Sequence, residues 1–334
     1  MIARTTVSPR RVTIVGGGFT GASVAVQLVR ASSTPLAITI IEPRPNIGGG
    51  LAYSTDDSDH RLNAPIEGHL VDPADHAAFQ RWYTKQRIVE TDPDAVAPDG
   101  SLFVRRRDFG AFINDVALSH ARWSTGSTIH HLRDMAADVS VGAGGIDVQT
   151  ARGHVLASEL LVLATGNALP RLPAEFGPDL RANPAVVAVP TDLERMRNIP
   201  TKARVLVIGS GLTALDVLST LIRSGHNGEI TVISRRGLRP RSNLPREAPP
   251  DLDVTRALLD RVAGPVAQFI QAAGNPLTIL SLLRALRARI RAVEAAGDTW
   301  HMPFDELRDV VWQVWPTLPT IEKKRFMRHL RPWW

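Results

Sequence analysis

Two stretches of one pattern, RVTIVGGGFTGA at residues 11–22 and RVLVIGSGLTALD at residues 204–216, constrain this chain more than any other feature. Each is an apolar, β-branched run that meets a glycine-rich turn and passes into a small-residue amphipathic stretch, the order strand, tight turn, helix. In the first, Val12 to Val15 leads into Gly16-Gly17-Gly18-Phe19-Thr20-Gly21. Gly16 permits the turn, Gly18 lets a pyrophosphate approach the backbone, and Gly21 lets helix and strand pack closely, with the phosphate charge at the positive helix N-terminus. A second apolar run, LAITIIEP, ends in Glu42, about 20 residues past the last glycine, where an acid can hold both hydroxyls of an adenosine ribose. Strand before, helix after and acid at that distance predict a dinucleotide site rather than an ordinary glycine turn.

The second copy keeps Gly209 and Gly211, continues through Leu212 and Thr213, and has Ala214 in the third place, where only a small side chain is needed. Its following strand, EITVIS, ends at Ser234 and is succeeded by Arg235 and Arg236. An acid there would repel a 2′-phosphate, whereas two guanidiniums and a hydroxyl offer it charge-assisted hydrogen bonds, so NADP(H) is expected over NAD(H). The plainer alternative is that an arginine-rich chain carries guanidiniums everywhere.

At 334 residues, two domains are the natural expectation. The pattern predicts an α/β fold of two three-layer, Rossmann-like dinucleotide-binding domains with an inserted β-meander and a helical C-terminal region. The expected spans are 1–195 for the first domain, 196–240 for the core of the second and 241–334 for helices that complete or flank it. No apolar run approaches the ~20 residues of a membrane span, and MIARTTVSPRR lacks the apolar core of a signal peptide, so a cytoplasmic protein without membrane partners is expected. The net charge of +6 is spread along the chain with aromatics at only 5%, which argues against a nucleic-acid partner. Zero cysteines excludes a dithiol electron relay, iron–sulfur clusters and cysteine zinc sites, and no metal site is expected.

Between the two patterns, residues 43–65 (PRPNIGGGLAYSTDDSDHRLNAP) read as a long loop of the kind that is commonly functional. Gly48-Gly49-Gly50 would allow close approach of backbone to a cofactor. His60 and Asn63 either face that cofactor or serve as a surface histidine and a turn former. Residues 74–86 and 107–123 read as helices, the second preceded by Arg105-Arg106-Arg107. From 127 to 157 the pattern is a β-meander, feeding a buried strand, ELLVLATG, that closes on Thr165-Gly166 beside the first turn. Beyond the Pro/Arg-rich loop, TRALLDRVAG, LTILSLLRALRARIRAVEAAG, FDELRDVVWQVWP and TIEKKRFMRHL are helical in period.

GGGFTGASVAVQL, IIEPRPNIGGGLAYSTDDSDHRLNAP, RRRDFGAFI, LVLATGNALP, VLVIGSGLTALD, ITVISRRGLRP and RFMRHLRPWW together resemble the uncharacterised FAD/NAD(P)-binding proteins of the YdhS type. The resemblance runs along essentially the whole chain, and the GLAYST and HLRPWW segments make it specific. It implies a flavoprotein with FAD in the first site and NAD(P)H in the second; the RRRDFG segment makes Arg106, with Asn63 and the loop glycine Gly49, a candidate for the flavin's environment, a structural role being the alternative for Asn63 and Arg106. Nitrosuccinate-forming aspartate N-monooxygenases and ornithine-type N-hydroxylating enzymes share the general plan more distantly. Such proteins return after the nicotinamide domain with a strand ending in Gly-Asp. Here Gly297-Asp298 follows a helical stretch and the sequence stops at Trp333-Trp334, so a chain truncated relative to that plan is expected.

Two nucleotides in one chain suit hydride transfer from nicotinamide to flavin, with the cofactors carrying the chemistry. Without thiols, dioxygen is the expected final acceptor and a small molecule, unspecified, the expected substrate of a monooxygenase-like reaction. No catalytic residue stands out. The competing expectation is a nucleotide-binding protein without turnover, such as a redox sensor.

Overall fold

The first β-branched run forms β1 (Arg10–Val15), which pairs in parallel with β2 (Leu36–Ile41) in a register that sets Ile14 beside Ile40. In the computed structural model, residues 8–123, 126–242 and 260–331 are described. Between the two strands runs α1 (Phe19–Ala31), and β3 (Thr128–Leu132) pairs in parallel on the far side of β2. A three-stranded antiparallel meander follows, β4 (Ala136–Gly142), β5 (Gly145–Thr150) and β6 (Val155–Ser158). The chain then returns as β7 (Leu160–Leu163), parallel to β1, giving the sheet order β3-β2-β1-β7.

Strand periodicity decides what packs where. Val12, Ile14, Ile38 and Ile40 point to one face and are buried with Ala22, Ala25, Val26 and Val29 of α1 in a single apolar cluster. Phe112, Ile113 and Ala117 of the long helix at Arg106–Trp123 join the same cluster. Each fully buried branched side chain there contributes about 1.5–3 kcal/mol. Thr13, between Val12 and Ile14, turns to the opposite face, where its hydroxyl lies 2.5 Å from the buried Ser158 hydroxyl at the end of the meander.

Three expectations are corrected by the structure. The strand at 128–132 belongs to the parallel sheet, so the meander is only β4 to β6. ELLVLATG is not buried: β7 pairs with β1 alone among the described residues, and Leu163 is 68% exposed. Residues 74–86 are not one helix. A 3-10 turn at Pro73–Asp75, started by the Asp72 carboxylate accepting the Ala74 N–H, precedes α2 (Ala78–Lys85). The Arg106–Trp123 helix is α3.

Short helices α4 (Pro178–Ala182) and α5 (Leu193–Arg197) lead to the second pattern, which folds as β8 (Val205–Ile208), α6 (Leu212–Arg223) and β9 (Ile230–Ile233), the two strands parallel. The chain forms two compact units, residues 1–250 and 251–334. The second is helical, with α7 (Gln268–Gln271), α8 (Ile279–Ala295), α9 (His301–Asp309), α10 (Val311–Thr317) and α11 (Thr320–His329). It has its own core of Ile270, Leu286, Leu307, Val310 and Val314. A reciprocal Thr278–Ser281 capping box starts α8. The beginning of TRALLDRVAG and the Trp333-Trp334 pair lie outside the described residues. Among the described residues no helix is long and apolar enough to cross a membrane.

Candidate dinucleotide site

At the end of β1 the chain turns at Gly16, whose φ of +99° suits glycine. A Cβ at Gly16 would overlap the Ala164 carbonyl, and one at Gly21 would overlap the Gly16 carbonyl, so these two glycines bring β7 and α1 against the turn. α1 starts at Gly18 with no side-chain cap, which leaves its first-turn N–H groups and the positive end of its dipole for an anion. Thr20 is exposed in that first turn. Phe19 is half-buried in an aromatic cluster with Tyr53 and Phe109, at centroid distances of 6.2 and 5.8 Å, so its side chain serves packing and its backbone remains the part that borders the turn.

Glu42, buried at the C-terminal end of β2, reaches back to the turn. Its carboxylate accepts the Gly17 N–H at 2.9 Å and the Arg44 N–H at 3.0 Å, and pairs with the Arg44 guanidinium at 3.0 Å. Gly17 must be glycine because a Cβ there would stand 2.6 Å from Glu42 Cβ. The triple-glycine loop closes over the same place: the Gly48 N–H donates to the Gly17 carbonyl at 2.6 Å, and Gly50 faces Gly18, where a Cβ would be 3.3 Å from Gly50 Cα. Gly49 abuts Tyr53 and Ser54 within this loop. Thr165 and Gly166, both exposed, follow directly from Ala164, whose N–H bonds the Val15 carbonyl at 2.8 Å. The structure thus gathers Gly16, Gly18, Gly21, Glu42, Gly49, Thr165 and Gly166 around one turn.

The second turn repeats the geometry in the open. Gly209 has φ +113°, Gly211 is the uncapped N-terminus of α6, and among the described residues nothing lies within 4 Å of a Cβ added at either. Ala214 is buried, while Leu212 and Thr213 are exposed at the helix start. Ser234, Arg235 and Arg236 follow β9 on the surface.

Arg106 and Asn63 do not stand alone. Arg106 Nη1 and Nη2 donate to the Asp216 carboxylate of α6 at 2.7 and 3.0 Å, Nη2 also to Asn63 Oδ1 at 3.2 Å, and Nε to the Arg61 carbonyl at 2.9 Å. His60 is buried, which discards the surface-histidine reading: Nδ1 lies 2.9 Å from the Thr55 hydroxyl and Nε2 3.0 Å from that of Thr220. The Thr220 hydroxyl donates to buried Asp57 at 2.7 Å, and Arg223 pairs with Asp59. Burial pushes the Asp57 carboxyl up, but the Asp59 N–H, the Thr220 hydroxyl and the nearby His60 and Arg223 outweigh it and hold it below its ordinary 3.8. Sequence reasoning does not single out Asp57, Asp216, Thr220 or Arg223. The 4- and 3-residue spacing of the last three along a helix is the signal available.

A cavity of about 280 Å³ lies where these elements meet. Its walls include Leu51 and Ala52 just past the triple glycine, Thr55, His60 and Arg106, and Thr213 and Asp216 at the start of α6.

Residues 13–168 match the FAD-NAD(P)-binding family, and residues 98–244 match the L-lysine 6-monooxygenase/L-ornithine 5-monooxygenase family. The chain carries an FAD/NAD(P)-binding domain. FAD and NAD(P) are the cofactors the first match supports, and the two uncapped, glycine-started helices fit two dinucleotides. No curated protein matches the chain. Among solved structures, an ornithine N-hydroxylase from Kutzneria sp. 744 is 18% identical, over 87% of this chain and 70% of that one, with a TM-score of 0.48. The ornithine hydroxylase of Pseudomonas aeruginosa is 16% identical over 86% and 70%, at 0.49. A flavin monooxygenase from Stenotrophomonas maltophilia is 16% identical over 76% and 64%, at 0.44. The chain therefore spans less than two thirds of that last enzyme, and 32% of a Diels-Alderase of the pyrroindomycin pathway. At these identities and TM-scores the likenesses are too distant to carry chemistry from one chain to another.

Proposed function

We propose that this chain is an FAD-dependent, NADPH-using oxidoreductase of the flavin monooxygenase kind, taking hydride from nicotinamide to flavin and acting on a small molecule with dioxygen. The observation that carries the reading is the placement, in one compact unit, of two uncapped glycine-started helices whose surroundings border one cavity. The family matches over 13–168 and 98–244 support it. The finer kinship to the YdhS type rests on the GLAYST and HLRPWW segments.

When bound, the nicotinamide supplies hydride and the flavin accepts it and reacts with dioxygen. The chain's own residues bind and orient. Gly16, Gly18, Phe19, Thr20 and Gly21 present backbone N–H groups to the pyrophosphate of FAD, and the positive end of α1 favours its charge. Glu42, whose carboxylate keeps acceptor capacity beyond its Gly17 and Arg44 partners, takes the adenosine ribose hydroxyls. Gly49, Asn63, Arg106, Thr165 and Gly166 border the remainder of that nucleotide. Gly209, Gly211, Leu212, Thr213 and Ala214 receive the NADPH pyrophosphate, and Ser234, Arg235 and Arg236 its 2′-phosphate. Ornithine and lysine, the substrates named by the matching family, are the first amines to test.

The deciding experiment is an absorbance spectrum of the FAD-loaded chain during anaerobic addition of NADPH. Bleaching of the flavin band is expected. A band that persists with both nucleotides bound would contradict the reading and favour a nucleotide-binding protein without turnover.

A further inference from the structure

The two phosphate turns sit on separate strand-turn-helix units, and hydride transfer demands reacting atoms about 3–3.5 Å apart. Something must fix one turn against the other. We infer that one face of α6, carrying Asp216, Thr220 and Arg223, is the device that sets the separation of the two nucleotides, an inference that rests on the reading above. These residues recur at helical spacing, so they form one stripe on the helix whose N-terminus is the second phosphate turn. Any tilt of that helix moves the turn with it.

The stripe meets a rigid counterpart. Asp216 receives a two-pronged ion pair from Arg106, and Arg106 is itself held by Asn63 and by the Arg61 carbonyl. Arg61 is anchored in turn by Asp92 at 2.8 and 3.0 Å and by the Phe103 carbonyl at 2.9 Å. Thr220, at the middle of the stripe, is 1% exposed. A hydroxyl has one proton, so a Thr220 that donates to Asp57 accepts from His60 Nε2–H, which also lies 3.3 Å from the Asp216 carbonyl, and His60 Nδ1 shares a hydrogen bond with the Thr55 hydroxyl. Thr55, His60, Thr220 and Asp57 thus form one continuous run of hydrogen bonds against the stripe. Arg223 closes the far end on Asp59 and lies 3.5 Å from Asp57. Asp216, Thr220 and Arg223 are therefore positioning residues, acting through α6 rather than on a reacting atom.

The test uses Asp216→Asn, Thr220→Val and Thr220→Ser. At saturating NADPH, flavin reduction is expected to slow at least about ten-fold in the first two, with NADPH affinity within about three-fold of the parent, because a misplacement of ~1 Å costs up to 10²-fold in rate. Thr220→Ser keeps the hydroxyl and should restore the parental rate. A second readout needs no cofactor. The chain has no cysteine, so nitroxide labels at Ala31→Cys and Ile222→Cys, both exposed, report one clean distance between α1 and α6. That distance distribution should broaden or shift in Asp216→Asn and Thr220→Val. An unchanged distribution, or affinity and rate falling together, would overturn the inference. A parent that never reduces flavin would instead overturn the hydride reading, while the label distances still decide the stripe.

Discussion

A methyl group added at Gly16, Gly17 or Gly21 runs into backbone or into Glu42, whereas at Gly209 and Gly211 nothing among the described residues stands within 4 Å. The first turn is enclosed by the end of β7, by Glu42 and by the triple-glycine loop, over a four-stranded sheet with a buried core. The second rests, among the described residues, on two strands, with Leu206 and Ile208 of β8 exposed. One sequence pattern thus makes two kinds of site. Enclosure suits a nucleotide that stays, and openness suits one that is consumed and exchanged.

The largest effect that would sharpen this contrast comes from glycine substitution. Gly21→Val should destabilise the protein by about 3 kcal/mol or more, since the side chain overlaps the Gly16 carbonyl and presses on Ile14. Gly211→Ala should leave stability within about 0.5 kcal/mol while weakening NADPH binding. Thermal melts of both variants check this, and equal losses would break the comparison. Next in size, Glu42→Gln removes a charged acceptor from the Gly17 N–H and the partner of Arg44, worth about 1.5–3 kcal/mol. Flavin affinity, by fluorescence titration, should fall about ten-fold or more, with NADPH affinity unchanged.

Both sites are legible in the sequence, and the difference in their enclosure is not, for physical causes. Both turns, their third small residues and Glu42 follow from local rules, because strand, turn and helix are contiguous in the chain. The burial expected of ELLVLATG fails because an apolar run reports hydrophobicity and not neighbours, and β7 has β1 on one side only among the described residues. Phe19 lies inside the first glycine turn in sequence, and nothing local shows that its ring packs with Tyr53 and Phe109, residues far apart in sequence. His60 leaves two readings open because its partner Thr220 lies 160 residues away. Long-range pairing of this kind has no local signature.

A smaller effect concerns the second site alone. Replacing Arg235 and Arg236 by glutamine should weaken NADPH about ten-fold or more while changing NADH little, since the 2′-phosphate of NADPH loses its guanidinium partners and NADH has no such phosphate. Equal losses for both, by isothermal titration, would remove the phosphate role from these arginines. The smallest effect is on pH. Hydrogen bonds from Arg197 hold the Asp56 carboxyl below 3.8, and Asp57 is lowered as well. Lowered carboxyls contribute stability that is present above their unfolded values and lost as pH falls through the folded ones. Stability should therefore be flat above about pH 5 and decline below about 4, and Asp57→Asn should flatten that decline in a pH series of denaturant melts.

The most direct test of the contrast between an enclosed and an open site is retention. The chain is loaded with FAD and NADP+, passed through a desalting column and followed by absorbance and by release of nucleotide. The flavin band should survive with NADP+ washed away, and added NADPH should then bleach it without air. Retained NADP+ with the flavin lost, or both lost at the same rate, would contradict the account.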